Sequence, residues 1–137
     1  MKRVTDLRLL FVVVAFVELM YTLITVLPPG LLAPATGWAL SPDGHWITKL
    51  LCAALASQAV MAWTLRKSPP LGVAAALAFY QFASGTADWV MWWALRDQDI
   101  FSTAQARIGV LAAIPTHYLI GVLLVLGIRA ARKEASR

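Results

Sequence analysis

The sequence predicts an all-α integral membrane protein, a four-helix bundle with both termini cytoplasmic, and three observations lead there. With a mean hydropathy of +0.70, 60% hydrophobic residues and only 14% charged ones, its 137 residues are too apolar for an ordinary soluble domain. The apolar residues collect in four runs, each near the length of roughly 20 residues that a bilayer crossing needs. The Lys and Arg residues sit at the ends of those runs, and mostly on one side. The whole chain, 1–137, therefore reads as one membrane domain with spans at 9–27, 47–65, 71–95 and 108–128.

The first span follows a short basic start, Met1-Lys2-Arg3. A cleaved signal peptide would look similar, but the apolar run continues to Leu27, carries Glu18 near its centre and lacks a small-x-small cleavage pattern, so a retained helix is expected. The outer loop 28–46, PPGLLAPATGWALSPDGHW, holds Pro28, Pro29 and Pro34, which argue against a continuous helix. Its Leu31, Leu32, Trp38 and Leu40 prefer an interface, and Ser41-Pro42-Asp43-Gly44 reads as a turn. Such a loop serves either as a lid or as a plain interfacial connector. His45 has no partner at metal-ligand spacing and is taken as a surface residue.

The second span is the weakest, and Lys49 must snorkel outward from its end. Residues 66–70, Arg-Lys-Ser-Pro-Pro, form a tight turn into the third span. After it, Ser102-x-x-Gln105 matches a capping box that opens the fourth helix, and Pro115 bends that helix and frees a carbonyl one turn earlier. The basic tail RAARKEASR is expected to fray at the membrane surface. Cys52 has no partner for an internal disulfide and reads as a packing residue.

Charge fixes the expected orientation. The termini and the second connection hold Lys2, Arg3, Arg8, Arg66, Lys67, Arg129, Arg132, Lys133 and Arg137, nine of the twelve basic residues, while Lys49, Arg96 and Arg107 flank the other side. The net charge of +5 does not imply a nucleic-acid partner, because these residues flank apolar spans and form no continuous basic surface. The expected partners are the lipid bilayer and a small hydrophobic molecule. Gly85, Gly109 and Gly121 allow close helix contact, within the bundle or in a homo-oligomer.

Each span carries polar groups at a similar depth. Counting about 1.5 Å per residue from the outer ends places Glu18, Gln58, Asp88 and His117 roughly 10–17 Å below the outer surface. Glu18, Tyr21, Thr22 and Thr25 share one helical face, as do Gln81, Ser84 and Asp88. A carboxyl near mid-membrane costs roughly 2.5–3.5 kcal/mol, so these groups should face protein, water or a ligand. A poorly solvated carboxyl favours its protonated form and serves as an acid, while a neighbouring carboxylate or imidazole takes the part of base.

The catalytic candidates are Glu18, Asp88 and His117, with Tyr21, Thr22, Gln58, Gln81, Ser84, Trp89 and Thr116 lining the site. The competing view is a structural network, with Asp88 bonded to His117 and Glu18 to Gln58 or a tyrosine. No metal or cofactor is expected, since His-x-x-His, Glu-x-x-His, paired-cysteine and phosphate-loop patterns are missing from the sequence. Trp38, Trp46, Trp63, Trp92 and Trp93 fit an aromatic belt. Trp89 lies deeper and either lines the site or faces lipid.

The short basic start, the Leu-Pro-Pro-Gly exit from the first helix (27–30), Asp88 late in the third and His117 in the fourth together resemble small four-span membrane proteins of the DoxX and BphX type. The size and the buried acids also resemble the sterol-isomerase and sigma-2-receptor superfamily, whose members bind hydrophobic amines or sterols. The second helix departs from that pattern, with Ala53-Ala54 and Gln58 in place of an acid. Residue-by-residue transfer of the isomerase chemistry is therefore blocked. The leading functional expectation is an intramembrane pocket for a small hydrophobic molecule, with acid–base isomerase or cyclase chemistry on an isoprenoid or similar lipid. The alternatives are a proton-coupled small-molecule transporter and a non-catalytic accessory subunit of a membrane complex.

Overall fold

The computed structural model describes residues 5–136. Lys2, Arg3 and Arg137, three of the flanking basic residues, lie outside the described residues. The described residues are all-α, without a strand: α1 (Leu7–Thr25), α2 (Pro29–Thr36), α3 (Pro42–Leu65), α4 (Leu71–Leu95), a 3-10 turn (Asp99–Phe101) and α5 (Ala104–Ala135).

Side-chain caps set several of these boundaries. The Asp6 carboxylate accepts from the Arg8 backbone N–H at 2.9 Å and opens α1. At the other end of α1, the Lys49 ammonium donates to the Thr25 carbonyl at 2.7 Å and also to the Leu27 carbonyl. The lysine expected to snorkel outward thus satisfies orphan carbonyls at a helix C-terminus, where a cation also suits the helix dipole.

The segment between α1 and α3 is more ordered than its prolines suggest. Pro29 occupies the first turn of α2, where no N–H is needed, and Pro34 sits inside the eight-residue helix. Gly37 ends α2 at φ +76°, and a Cβ there would meet Thr103 Oγ1 at 2.1 Å, so the position accepts only glycine. Ser41-Pro42-Asp43-Gly44 is a helix start and not a free turn. Ser41 Oγ accepts from the Gly44 N–H at 3.1 Å, Pro42 fills the first position and Asp43 the first turn, so α3 begins ahead of the expected residue 47.

The fourth long helix is capped by Thr103, whose Oγ1 accepts from the Ala106 N–H at 3.1 Å, and not by Ser102. Gln105, the expected return partner of the capping box, instead donates to the Ala35 carbonyl and ties α2 to α5. The basic tail continues the helix to Ala135 where fraying was expected, with Arg132 and Lys133 in its last turn complementing the dipole.

Helices α1, α3 and α5 are long and apolar enough to cross a membrane. The 25-residue α4 has the length and the expected bounds, but Tyr80, Gln81, Ser84, Thr86 and Asp88 dilute its hydropathy, and it does not join those three. Outward faces carry large apolar side chains throughout, among them Phe16, Val60, Phe79, Trp93, Ile108 and Leu119.

Helix α1 packs along α3, and α4 packs along α5, while α1 also meets α5. Gly85 permits the second contact at the level of the site, since a Cβ there would lie 3.2 Å from His117 Cβ and from the Tyr118 ring. Two apolar clusters result. One, containing Phe11, Val14, Leu77 and Leu124, fills the end nearer the termini, and the other, built on Phe101, Val110 and Ile114, fills the end nearer α2.

Candidate functional site

The polar groups occupy the layer between the two clusters. Glu18 follows Ala15 on α1, Gln81 follows Ala78 on α4, and His117 stands between Ile114 and Ile120 on α5, so one helical turn carries each helix from apolar packing into the polar layer. Glu18 and Gln81 are fully buried and His117 is 6% exposed.

These residues form one connected chain. The Gln81 amide Nε2 donates to Glu18 Oε1 at 2.7 Å, and Gln81 Oε1 lies 2.6 Å from His117 Nδ1. An amide oxygen only accepts, so His117 carries its hydrogen on Nδ1. On the far side of the ring, Nε2 faces Asp88 Oδ2 at 3.7 Å, a contact longer than a hydrogen bond but within ion-pair range. Tyr21 stacks on the His117 ring at 5.9 Å between centroids and 16° between planes, and so fixes the plane in which the imidazole presents its two nitrogens.

The two ends of the chain differ in exposure. The Asp88 side chain is 33% exposed, whereas Glu18 is sealed. Glu18 Oε2 and Gln58 Oε1 are both buried without a hydrogen-bond partner. Tyr80 neighbours Gln58 and Ser84 and lies within electrostatic reach of Glu18 and Asp88.

The other candidates are placed differently. Thr22 Oγ1 donates to the Glu18 carbonyl at 2.7 Å and Thr25 Oγ1 to the Tyr21 carbonyl at 2.8 Å, so the hydroxyl stripe of α1 bonds to its own helix. Thr116 does the same with the Ala112 carbonyl at 2.8 Å. Trp89 is 38% exposed and stacks on Trp93 at 6.3 Å between ring centroids. A shallow apolar groove of about 600 Å³ runs along the outward face of α4 between Phe79 and Met91. It belongs to a different face from Gln81.

Two parts of the site do not follow from the sequence. Helical spacing puts Gln81 beside a ligand, and its function as the bridge between two helices is visible only in three dimensions. Tyr80 does not stand out, because its only signal is its place beside Gln81 within an interrupted apolar run. Among the described residues, no three His, Cys, Asp or Glu side chains gather as metal ligands would. Comparison with protein-family models, curated proteins and solved structures finds no match to this chain.

Proposed function

We propose that this is an integral membrane protein whose α1, α3, α4 and α5 cross the bilayer with both termini on the cytoplasmic side. In this reading Glu18, Gln81, His117 and Asp88 form an intramembrane acid–base site for a small hydrophobic molecule. The reaction class is proton-transfer isomerisation or cyclisation of an isoprenoid-like lipid. The observation that carries the proposal is the unbroken succession of contacts from a sealed carboxyl, Glu18, to a partly open one, Asp88.

Each residue then has a distinct part. Asp88, at the open end, exchanges a proton with a carbon centre of the substrate. His117 Nε2 exchanges that proton in turn with Asp88. Gln81 and Tyr21 hold the ring in place, and Glu18 supplies the compensating charge. The α4 polarity that keeps this helix from the most apolar class follows from the same demand, because a span that faces a polar layer trades hydropathy for function.

The test does not depend on the identity of the substrate. The full-length protein, reconstituted in vesicles of total lipid from its expression host, is incubated in heavy water, and the lipids are analysed for carbon-bound deuterium by mass spectrometry. The reading requires deuterium in at least one lipid class, with the signal lost in Asp88→Asn and His117→Phe and retained in Thr116→Val. No incorporation above protein-free vesicles, with extracts that include isoprenoids, would remove the catalytic claim. The buried Glu18 Oε2, an acceptor without a partner, favours a second reading, proton exchange for a cationic substrate, since a cation would satisfy it. Proton release from loaded vesicles on addition of hydrophobic amines distinguishes it.

A further inference from the structure

The Gln81 amide has a donor end and an acceptor end, and each is committed to a group that titrates. Its nitrogen faces Glu18 and its oxygen faces His117 Nδ1. An ionised Glu18 accepts only, so it holds the amide in this orientation and obliges Nδ1 to carry hydrogen. A neutral ring then presents a bare Nε2 lone pair to Asp88, and that contact is favourable only when a proton lies between Nε2 and Oδ2.

The same four residues are also complementary in the opposite sense. With the amide turned through half a rotation, Glu18 protonated on Oε1 donates to the amide oxygen, the amide nitrogen donates to a bare Nδ1, and Nε2–H donates to an ionised Asp88. The proton count is the same in both arrangements. One proton lies in the Asp88–His117 contact or on Glu18, and one further hydrogen lies on Nδ1 or Nε2. What has no complementary arrangement is a neutral ring between two ionised carboxylates, because Glu18 then demands Nδ1–H, Asp88 demands Nε2–H, and a neutral imidazole carries only one.

We propose that Gln81 is a reversible coupler: through its amide, ionisation of Glu18 fixes the tautomer of His117 and opposes ionisation of Asp88, so that the chain retains one proton and can hold it at either end. Gln81 is in this sense a positioning residue acting through His117. The titratable and polar groups around the chain are Tyr21 against the ring, Tyr80 within electrostatic reach of both carboxyls, Gln58 next to Tyr80, and, on α3, Cys52, whose thiol lies 3.7 Å from the Thr22 carbonyl. None of these carries a fixed charge, so the coupled pair is left to govern itself. The inference concerns the residues of the acid–base site but stands on hydrogen-bond polarity alone, whatever molecule the site serves.

The experiment reads the His117 tautomer by nitrogen-15 NMR of histidine-labelled full-length protein in lipid vesicles, in a His45→Gln background that leaves a single histidine. In Asp88→Asn, raising the pH ionises Glu18 and drives the ring to Nδ1–H. In Glu18→Gln, raising the pH ionises Asp88, turns the amide and drives the ring to Nε2–H. The two variants therefore move in opposite senses, and in Gln81→Leu combined with Asp88→Asn the ring no longer responds to the ionisation of Glu18. Glu18 does not touch the ring, so a merely structural glutamine would leave the tautomer unaltered when Glu18 changes. The same tautomer in both single variants at alkaline pH, or a doubly protonated ring in both, overturns the proposal. Should the Gln81→Leu proteins not fold, Asp88→Asn against Asp88→Asn/Glu18→Gln decides, because with residue 88 unchanged only Glu18, which reaches the ring through Gln81, differs, and an identical tautomer in the two overturns the proposal. Absent lipid deuteration with opposite tautomers would refute the catalytic reading and leave the coupling intact.

Discussion

Replacing Gln81 by Leu keeps the side chain close to its original volume and removes both of its hydrogen bonds, so the change isolates polarity from packing. Interhelical hydrogen bonds in membrane proteins contribute about 0.6 kcal/mol on average and at most about 1.7, which puts the two lost bonds at roughly 1–3 kcal/mol. A second effect decides where in that range the result falls. Glu18 Oε2 already has no partner, so without Gln81 the carboxyl is buried with neither oxygen bonded, and an unsatisfied buried group costs about 1–3 kcal/mol by itself. The expected loss is therefore about 3 kcal/mol, at the top of the range. Unfolding in mixed micelles with rising SDS measures it, and Glu18→Leu/Gln81→Leu completes a double-mutant cycle. The double variant should be less damaged than the sum of the single ones by about 0.6–1.7 kcal/mol, because removing both partners leaves no orphan between them. A Gln81→Leu protein within about 0.5 kcal/mol of the parent, the range of an ordinary surface change, would refute the claim that this amide joins the helices.

Two further outcomes follow from the packing around the site. Gly85→Val should cost about 1–3 kcal/mol in the same unfolding assay, because even a Cβ would lie 3.2 Å from His117 Cβ and the Tyr118 ring, and Gly85→Ala should cost distinctly less. Lys49→Met should destabilise the protein by about 1 kcal/mol through the loss of the carbonyl contacts at the end of α1, read as easier proteolysis of the segment around residues 26–41 in detergent. A lysine that merely extended into solvent would be replaceable at no cost.

Hydropathy made the long helices legible, because an apolar run of bilayer length has few other fates. Where prolines interrupted the pattern it lost sight of α2, since Pro29 and Pro34 both look like breakers until the first is seen in an N-terminal turn. The cap of α5 moved by one residue because Ser102 and Thr103 both carry a capping hydroxyl, and only the contact of Thr103 with Gly37 distinguishes them. Counting residues from the helix ends brought Glu18, Asp88 and His117 to one level. Yet Glu18 meets Gln81, which lies seven residues and roughly 10 Å of helix from Asp88. A count along each helix carries no information about how far neighbouring helices slide past one another. The imidazole of His117 spans that offset, and nothing in the spacing of a single histidine announces it.

That offset also explains why a polar chain is useful to this fold before any chemistry is considered. The backbones of α1 and α4 hardly approach each other, because α1 packs on α3 and α4 on α5. Apolar clusters at either end of the site would tolerate sliding of one pair against the other, since dispersion contacts are numerous and weakly directional. If the helices face lipid, as proposed, there is little hydrophobic gain to oppose such sliding. The Gln81 contact with Glu18 is directional, and a shift of one helical turn, about 5.4 Å, would break it. It joins the Thr103 and Gln105 contacts with the α2 backbone in holding the two pairs in register, and it is the one of these whose polarity, in the coupling proposed above, depends on where the chain keeps its proton. Reversing the amide preserves the bond while exchanging donor for acceptor, so the helices can hold their positions while the charge at the site moves from one side to the other.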